Sequence, residues 1–368
     1  MRKLAALGAL LAGLAVAQAP NPDQLLKRAI DAQQHGDFEA AIRQYRKVLE
    51  LRPDAVEAKV NLGTALAHVG RFDEAIAMYK SALPSVPQKN AVRMNLALAY
   101  YKKGDFANAR EQFETLHEAE PEEIRIAILL ADTDTRLGKP ADAVALLTPL
   151  ESANSQNLDL EYTLGAALIK NGQPREGVAR IEKVAEASDS AEAYMLAGGT
   201  LLQLNEFEKA GRDLEPALRL DPKLPGLYTL AGKARDKNGD AKEAEAAFRE
   251  ALKLNPADFD ANLYLGTILY RRRELAEAKT YLDNALRLDA SNSMARYQAA
   301  MWKSASGQYQ AAATDLEKLV RDDPNWLEPH VELAALYYRL HRAEDGARER
   351  QIVERLAAEQ QKKGPGAQ

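Results

Sequence analysis

Between Val56 and Lys89 apolar residues recur at helical spacing, break, and recur again. Leu62, Gly63 and Leu66 fall on one face of a first helix. Gly70 suits the end of that helix, because it accepts a positive φ, and Arg71-Phe72 opens a second one. Ala75, Tyr79 and Ala82 form the inner face of the second helix, and Pro87 stops it. The pattern predicts a helix–turn–helix hairpin. Gly63 and Ala75 are small enough to let the two helices approach, and Tyr79 fills the space beyond. These residues read as core, not as a site.

The hairpin recurs along the chain. Pro53, Pro87, Pro121, Pro222, Pro256 and Pro324 are separated by 34, 34, 101, 34 and 68 positions, all multiples of 34 except 101, which is one short of three periods. Ala29, Gly63, Ala97, Ala131, Gly165, Gly198, Gly232, Gly266, Ala300 and Ala334 fit the same ruler. So do Ala41, Ala75, Ala109, Ala143, Gly177, Ala210, Ala244, Ala278, Ala312 and Gly346. Both columns step by 34 except for one step of 33 between their fifth and sixth members, a single deletion that also accounts for the odd proline gap. Such a period indicates stacked units that share one continuous core. The expected fold is all-α, a solenoid of ten hairpins over 22–358, with boundaries 22–55, 56–89, 90–123, 124–157, 158–190, 191–224, 225–258, 259–292, 293–326 and 327–358.

Leu96, Ala97, Tyr100, Gly104, Phe106, Ala109, Phe113 and Pro121 of the third unit carry the fullest form of the pattern. It resembles the tetratricopeptide repeat family, and the resemblance spans nearly the whole array. It implies a right-handed α–α superhelix whose first helices line a concave face. Several units depart from the pattern. The turn glycine is replaced by Asn205, Arg273 and His341. Pro140 and Pro174 stand at the first turn of their helices, where a missing N–H costs nothing, while Ser155 and Asp189 replace the terminal proline. The middle of the array is therefore expected to bend or flex differently. Arg350 takes a large apolar place in the last unit, whose second helix is expected to turn Ala347, Val353 and Leu356 inward and to solvate the rest with Arg348, Glu349 and Glu354. A frayed tail is expected over 359–368.

Met1-Arg2-Lys3, the uncharged apolar run Leu4–Val16 and the small-x-small Ala15-Val16-Ala17 have the three-part plan of a secretory signal peptide over 1–17, with cleavage before Gln18 and a linker over 18–21. Its removal would shift the balance of 49 basic and 54 acidic residues from −5 to −7, since Arg2 and Lys3 leave with it. That balance argues against a generic nucleic-acid binder. The sequence has no cysteine, so disulfides, thiolate metal sites and cysteine nucleophiles are excluded. No later apolar run is long enough to span a bilayer.

Catalytic chemistry finds no footing. His35, His68, His117, His330 and His341 form no i, i+4 ligand pair, and surface or packing roles are expected for them, with His68 and His117 facing solvent. Asp132 and Asp134 are two apart on a helix and point to different faces. Arg271-Arg272-Arg273 closes a helix, where cations complement the dipole. No enzyme activity, cofactor or metal site is expected.

What remains is the face that the resemblance assigns to partners. Its positions carry Met94, Leu98, Tyr101, Ile128, Tyr162, Ile169, Met195 and Leu202, interspersed with polar Asp132, Thr135, Lys170 and Gln203. The seventh unit turns charged with Lys233, Asp236 and Lys237; the last three return Leu263, Tyr270, Tyr297, Met301 and Tyr338, with Arg271 and Arg339 placed to hold acidic groups. Met and Tyr supply adaptable, amphipathic contact. The family's variant that clamps a C-terminal carboxylate is not reproduced, since Leu26 and Val60 stand where it needs lysine. The expected function is an exported, non-catalytic scaffold or adaptor, periplasmic or secreted, that binds a protein or peptide segment in its groove. The alternative is an envelope-assembly or polysaccharide-export component within a membrane-associated complex.

Overall fold

The computed structural model describes residues 21–363, which form α-helices joined by short turns, with no strand among the described residues. The signal peptide and most of the linker lie outside them. The chain divides into two units, one reaching Gln173 and the other starting at Pro174. The first unit holds α1 (Pro22–Gln34), α2 (Phe38–Leu51), α3 (Val56–His68), α4 (Phe72–Ala82), α5 (Lys89–Lys103), α6 (Phe106–Ala119), α7 (Ile124–Arg136), α8 (Pro140–Leu147) and α9 (Leu158–Lys170). The second holds α10 (Pro174–Ser188), α11 (Ala191–Gln203), α12 (Phe207–Leu220), α13 (Leu227–Asn238), α14 (Ala241–Leu254), α15 (Phe259–Arg271), α16 (Leu275–Leu288), α17 (Ser293–Ala305), α18 (Tyr309–Asp322), α19 (Leu327–Arg339) and α20 (Ala343–Lys363).

Both columns of small residues are buried at all ten of their positions. Their size is what the packing requires. A Cβ added to Gly63 would lie 2.7 Å from the Tyr79 ring, and one added to Gly232 would lie 2.6 Å from the Phe248 ring. At Gly198 and Gly266 the obstacle is Leu214 (2.6 Å) and Leu282 (2.8 Å). Helices this close leave room for a large side chain only beyond the contact, and Tyr45, Tyr79, Phe113 and Phe248 are fully buried there.

The ten turns adopt a left-handed backbone whether or not glycine is present: Asn205 has φ 59°, Arg273 66° and His341 60°. Arg and His accept this conformation at a cost that asparagine largely escapes. First helices are capped by side chains that accept from backbone N–H groups, among them Asn157, Ser190, Asp258 and Asn292.

The expected irregularity of the fourth unit takes a specific form. α8 ends after eight residues, and two single 3₁₀ turns, Thr148–Leu150 and Ser152–Asn154, replace the rest of that helix. Pro149, which has no N–H to give the helix, stands in the first of these turns, although Pro216 is accommodated inside α12. At the other end of the chain, α20 continues to Lys363, so 359–363 are helical rather than part of a tail. Ala347 is exposed, correcting its expected inward place; Gly346 and Leu356 are the buried positions of α20. Arg350 lays its guanidinium 5.3 Å from the centre of the Tyr338 ring, and that ring covers Gly346.

In each unit, first helices approach one another: α1 with α3, α3 with α5 and α7 with α9; then α11 with α13, α13 with α15 and α15 with α17. Among the described residues, successive second helices make no comparable contact. The first helices are the more tightly spaced layer, so the face they line is the inner one.

Candidate functional site

In the first unit, Met94, Leu98 and Tyr101 are half-buried on α5 and rest on the same core as the hairpins, and Ile128 rests half-buried on the core around α7 and α9. Tyr162 and Ile169 are half-buried on α9. In the second unit, Met195 and Leu202 are half-buried on α11, and Tyr270 rests half-buried on the core of α15. Each of these nine side chains therefore shows part of its surface and roots the rest in packing. Tyr338 is the most open of the ten at 39%, but its ring lies on α20 as part of its own hairpin. Leu263 is buried against Leu282 and Ala295, correcting its expected place on the surface.

Polar side chains organise this face. Tyr101 donates its hydroxyl to Asp132, and Arg136 donates to the same carboxylate at 2.9 Å while its guanidinium lies over the Tyr101 ring. Burial pushes the Tyr101 hydroxyl up to about 12; the Asp132 carboxylate adds to the rise and Arg136 opposes it. Tyr101 is thus a fixed neutral donor. Lys233 is held by Asp260 at 2.5 Å and lies over the Tyr264 ring, so the charge of the seventh unit is partly spent between neighbouring first helices.

Asp134 turns away from Asp132, as their spacing required. It is buried and accepts from Arg110 at 2.6 Å, tying α6 to α7. Burial raises its pKa and Arg110 draws it back. His117 is half-buried rather than solvent-facing, with Nδ1 buried and unpartnered among the described residues. His330 is buried: Nδ1 meets Glu349 at 2.5 Å and Nε2 meets the Pro324 carbonyl at 3.1 Å. Its single apolar-face position in sequence gave no sign of that pairing. Among the described residues no group of three or more His, Asp or Glu is placed to hold a metal ion, and no helix is long and apolar enough to cross a membrane.

A pocket of about 420 Å³ opens on this face in the second unit, lined by Tyr270, Arg271, Arg273, Met301, Ser304, Ala305, Tyr309 and Arg339. The C-terminal ends of three successive first helices, α15, α17 and α19, bring it together. The family resemblance placed Tyr270, Arg271, Met301 and Arg339 on this face. Arg273 reads in the sequence only as a turn position, and a recurring period gives no signal that a turn residue, or Tyr309 at the start of α18, will complete a pocket.

Comparison with known proteins agrees with this architecture. Family models described as tetratricopeptide repeat match residues 26–90, 162–225 and 229–295, further ones match 70–133 and 100–157, and another matches 294–325. A solved tetratricopeptide repeat protein from Parabacteroides merdae superposes with a TM-score of 0.55 at 18% identity, covering 67% of this chain and 98% of that one. A tetratricopeptide repeat-containing thioredoxin of Arabidopsis thaliana is 36% identical over 83 residues, 23% of this chain. Anaphase-promoting complex subunit 3 of Schizosaccharomyces pombe is 24% identical over 150 residues, 41% of this chain. The matches span only 12% and 23% of the length of those two relatives. With hairpins, small-residue contacts and left-handed turns recurring through both units, and one family's models matching more than half its length, the chain belongs to the tetratricopeptide repeat family.

Proposed function

We propose that this chain is an exported, non-catalytic adaptor that docks a segment of a partner protein along its first-helix face. The observation that carries the reading is the row of half-buried Met, Leu, Ile and Tyr side chains which successive first helices present and the cores leave part-covered. Anchored side chains of this kind lose little entropy on binding, and their exposed parts give a partner apolar area to bury. By its name, one relative is a subunit of a larger complex, which agrees with an adaptor's role. The signal-peptide plan at 1–17 supports export; N-terminal sequencing of the protein recovered outside the cytoplasm should start at Gln18, and an intact Met1 would contradict it.

Chemical crosslinking in the native cell, followed by identification of the trapped protein, tests docking. Truncating Tyr162 and Ile169 together to Ala should reduce the crosslinked partner by about tenfold, the effect of losing a hot spot. Substitution by Asp or Lys would be a poorer probe, since these half-buried side chains would then report on folding as well. Undiminished crosslinking in a folded double variant would contradict the reading.

A further inference from the structure

We propose that the pocket formed by Tyr270, Arg271, Arg273, Ser304, Tyr309 and Arg339 receives the carboxylate of a single Asp or Glu side chain from an extended segment of a partner protein. This rests on the reading of the first-helix face as a protein-docking surface and names the chemistry that one part of it selects.

The arginines show the specialisation. Elsewhere in the second unit guanidinium groups are commonly matched: Arg249 with Glu245 and Glu277, Arg296 with Asp322, Arg342 with Glu317 and Asp345. Even within the run of three arginines the roles divide. Arg272 turns away and pairs with Glu245 and Glu274. Among the described residues Arg271 and Arg339 have no carboxylate within ion-pair distance, and Arg273 donates only to the Ala305 carbonyl, at 3.5 Å. Three like charges thus border one pocket with no carboxylate in direct ion-pair contact; the half-buried Glu332 acts on Arg339 only from a longer range. Arg339 is steadied by the Tyr309 ring, 5.4 Å from its guanidinium carbon. Arg273 holds a positive φ of 66°, a conformation glycine would adopt more easily, so the native residue carries a backbone cost while placing a cation here.

The shape and surroundings favour a protein carboxylate. The volume, about 420 Å³, accommodates a few side chains, and the Tyr rings and Met301 provide apolar walls beside the charges. A carboxylate between guanidinium groups gains charge-assisted and, in good geometry, bidentate hydrogen bonds. A nucleic-acid backbone would have to extend along the face, where Glu328 and Glu332 lie close enough to raise the Tyr297 hydroxyl, itself mainly raised by burial, to about 12. Burial raises the Glu332 carboxyl and Arg339 draws it back, but Glu332 is not among the side chains that line the pocket.

The test is affinity selection from a random decapeptide pool on the full chain, with synthetic copies of recovered peptides measured by fluorescence anisotropy. Asp or Glu should be enriched at one position, and its replacement by Asn or Gln should weaken binding by about tenfold, the scale of one charge-assisted contact. Arg271→Gln with Arg339→Gln should abolish the acidic preference; neither arginine is in an ion pair, and an unchanged circular dichroism spectrum checks that loss of Arg339 beside Glu332 leaves the fold intact. Arg273→Gly should weaken binding while relaxing the turn, and Arg287→Gln, on the outer helix α16, should leave it unchanged. An absence of acidic preference, or a preference that survives in the double variant, would overturn the proposal, as would displacement of the peptide by oligothymidine at equal charge concentration. Crosslinking of a partner without acidic selection would reject the pocket and retain the docking surface; acidic selection without any cellular partner would do the reverse.

Discussion

Gly232 shows how little space the hairpin contact leaves. A Cβ there would lie 2.6 Å from Cε1 of the fully buried Phe248 ring, whereas one at Gly199 would meet Leu230 at an ordinary 3.5 Å. Gly232→Val should destabilise by about 1–3 kcal/mol through overpacking. Gly199→Ala should stabilise by up to about 1 kcal/mol through helix propensity. Opposite shifts of the urea midpoint check the pair; equal shifts would contradict the packing argument. Asp213 makes a second residue-scale prediction. Burial, joined by Glu182 and Glu186 and opposed by Arg212, pushes its pKa up to about 7, and its Oδ2 is buried without a partner among the described residues. The folded pKa exceeds the unfolded value of 3.8, so this carboxyl imposes no penalty below 3.8, destabilises increasingly as pH rises toward about 7, and reaches a plateau beyond. Asp213→Asn should therefore melt like the parent near pH 4, by about one degree, and above it near pH 8, the difference following the titration. A pH-independent difference would contradict this.

At the scale of elements, the terminal helix α20 depends on a contact that periodicity does not reveal. His330 sets Nε2 3.1 Å from the Pro324 carbonyl and Nδ1 2.5 Å from the Glu349 carboxylate, joining the start of α19 to α20. His330→Leu would remove both bonds and leave the Glu349 carboxylate largely enclosed. It should cost on the order of 2 kcal/mol and speed hydrogen exchange in α20 more than in α17. Uniform exchange in both helices would contradict a local fastening role. The hairpins themselves were legible because Gly63, Ala75 and Tyr79 answer a local steric demand that repeats with each unit. The shortened α8 is not legible in the period: Pro140 marks a helix start and Ser155 a missing terminal proline, while a proline such as Pro149 need not end a helix, since Pro216 lies inside α12. Tyr338 is the most exposed of the ten groove candidates, yet its ring also has a contact that the period does not show. Its position predicts a groove residue, and its ring lies against Gly346 and beneath the Arg350 guanidinium on α20. Arg273 was legible as a turn, whereas its approach to Arg271 and Arg339 depends on how three units stack.

On the scale of the molecule, the helices contact mainly their neighbours in sequence, with first helices also touching across adjacent repeats. Stability should accordingly be local, a sum of repeats and their interfaces. Tyr45→Ala, which empties a fully buried site between α1 and α2, should cost about 3–5 kcal/mol locally and raise hydrogen exchange in α1–α4, while α15–α18 stay protected. Simultaneous loss of protection in both regions would show long-range cooperativity instead. The same layered order separates an inner face of first helices from an outer one of second helices, and the functional reading stands on that distinction. Photocrosslinking in the native cell tests it most directly, with the photoreactive residue placed at Leu98 or Tyr270 on first helices and at the exposed Glu111 or Thr280 on second helices. Partner adducts from the first-helix positions and none from the second-helix positions are the expected result; adducts confined to Glu111 and Thr280 would contradict the account.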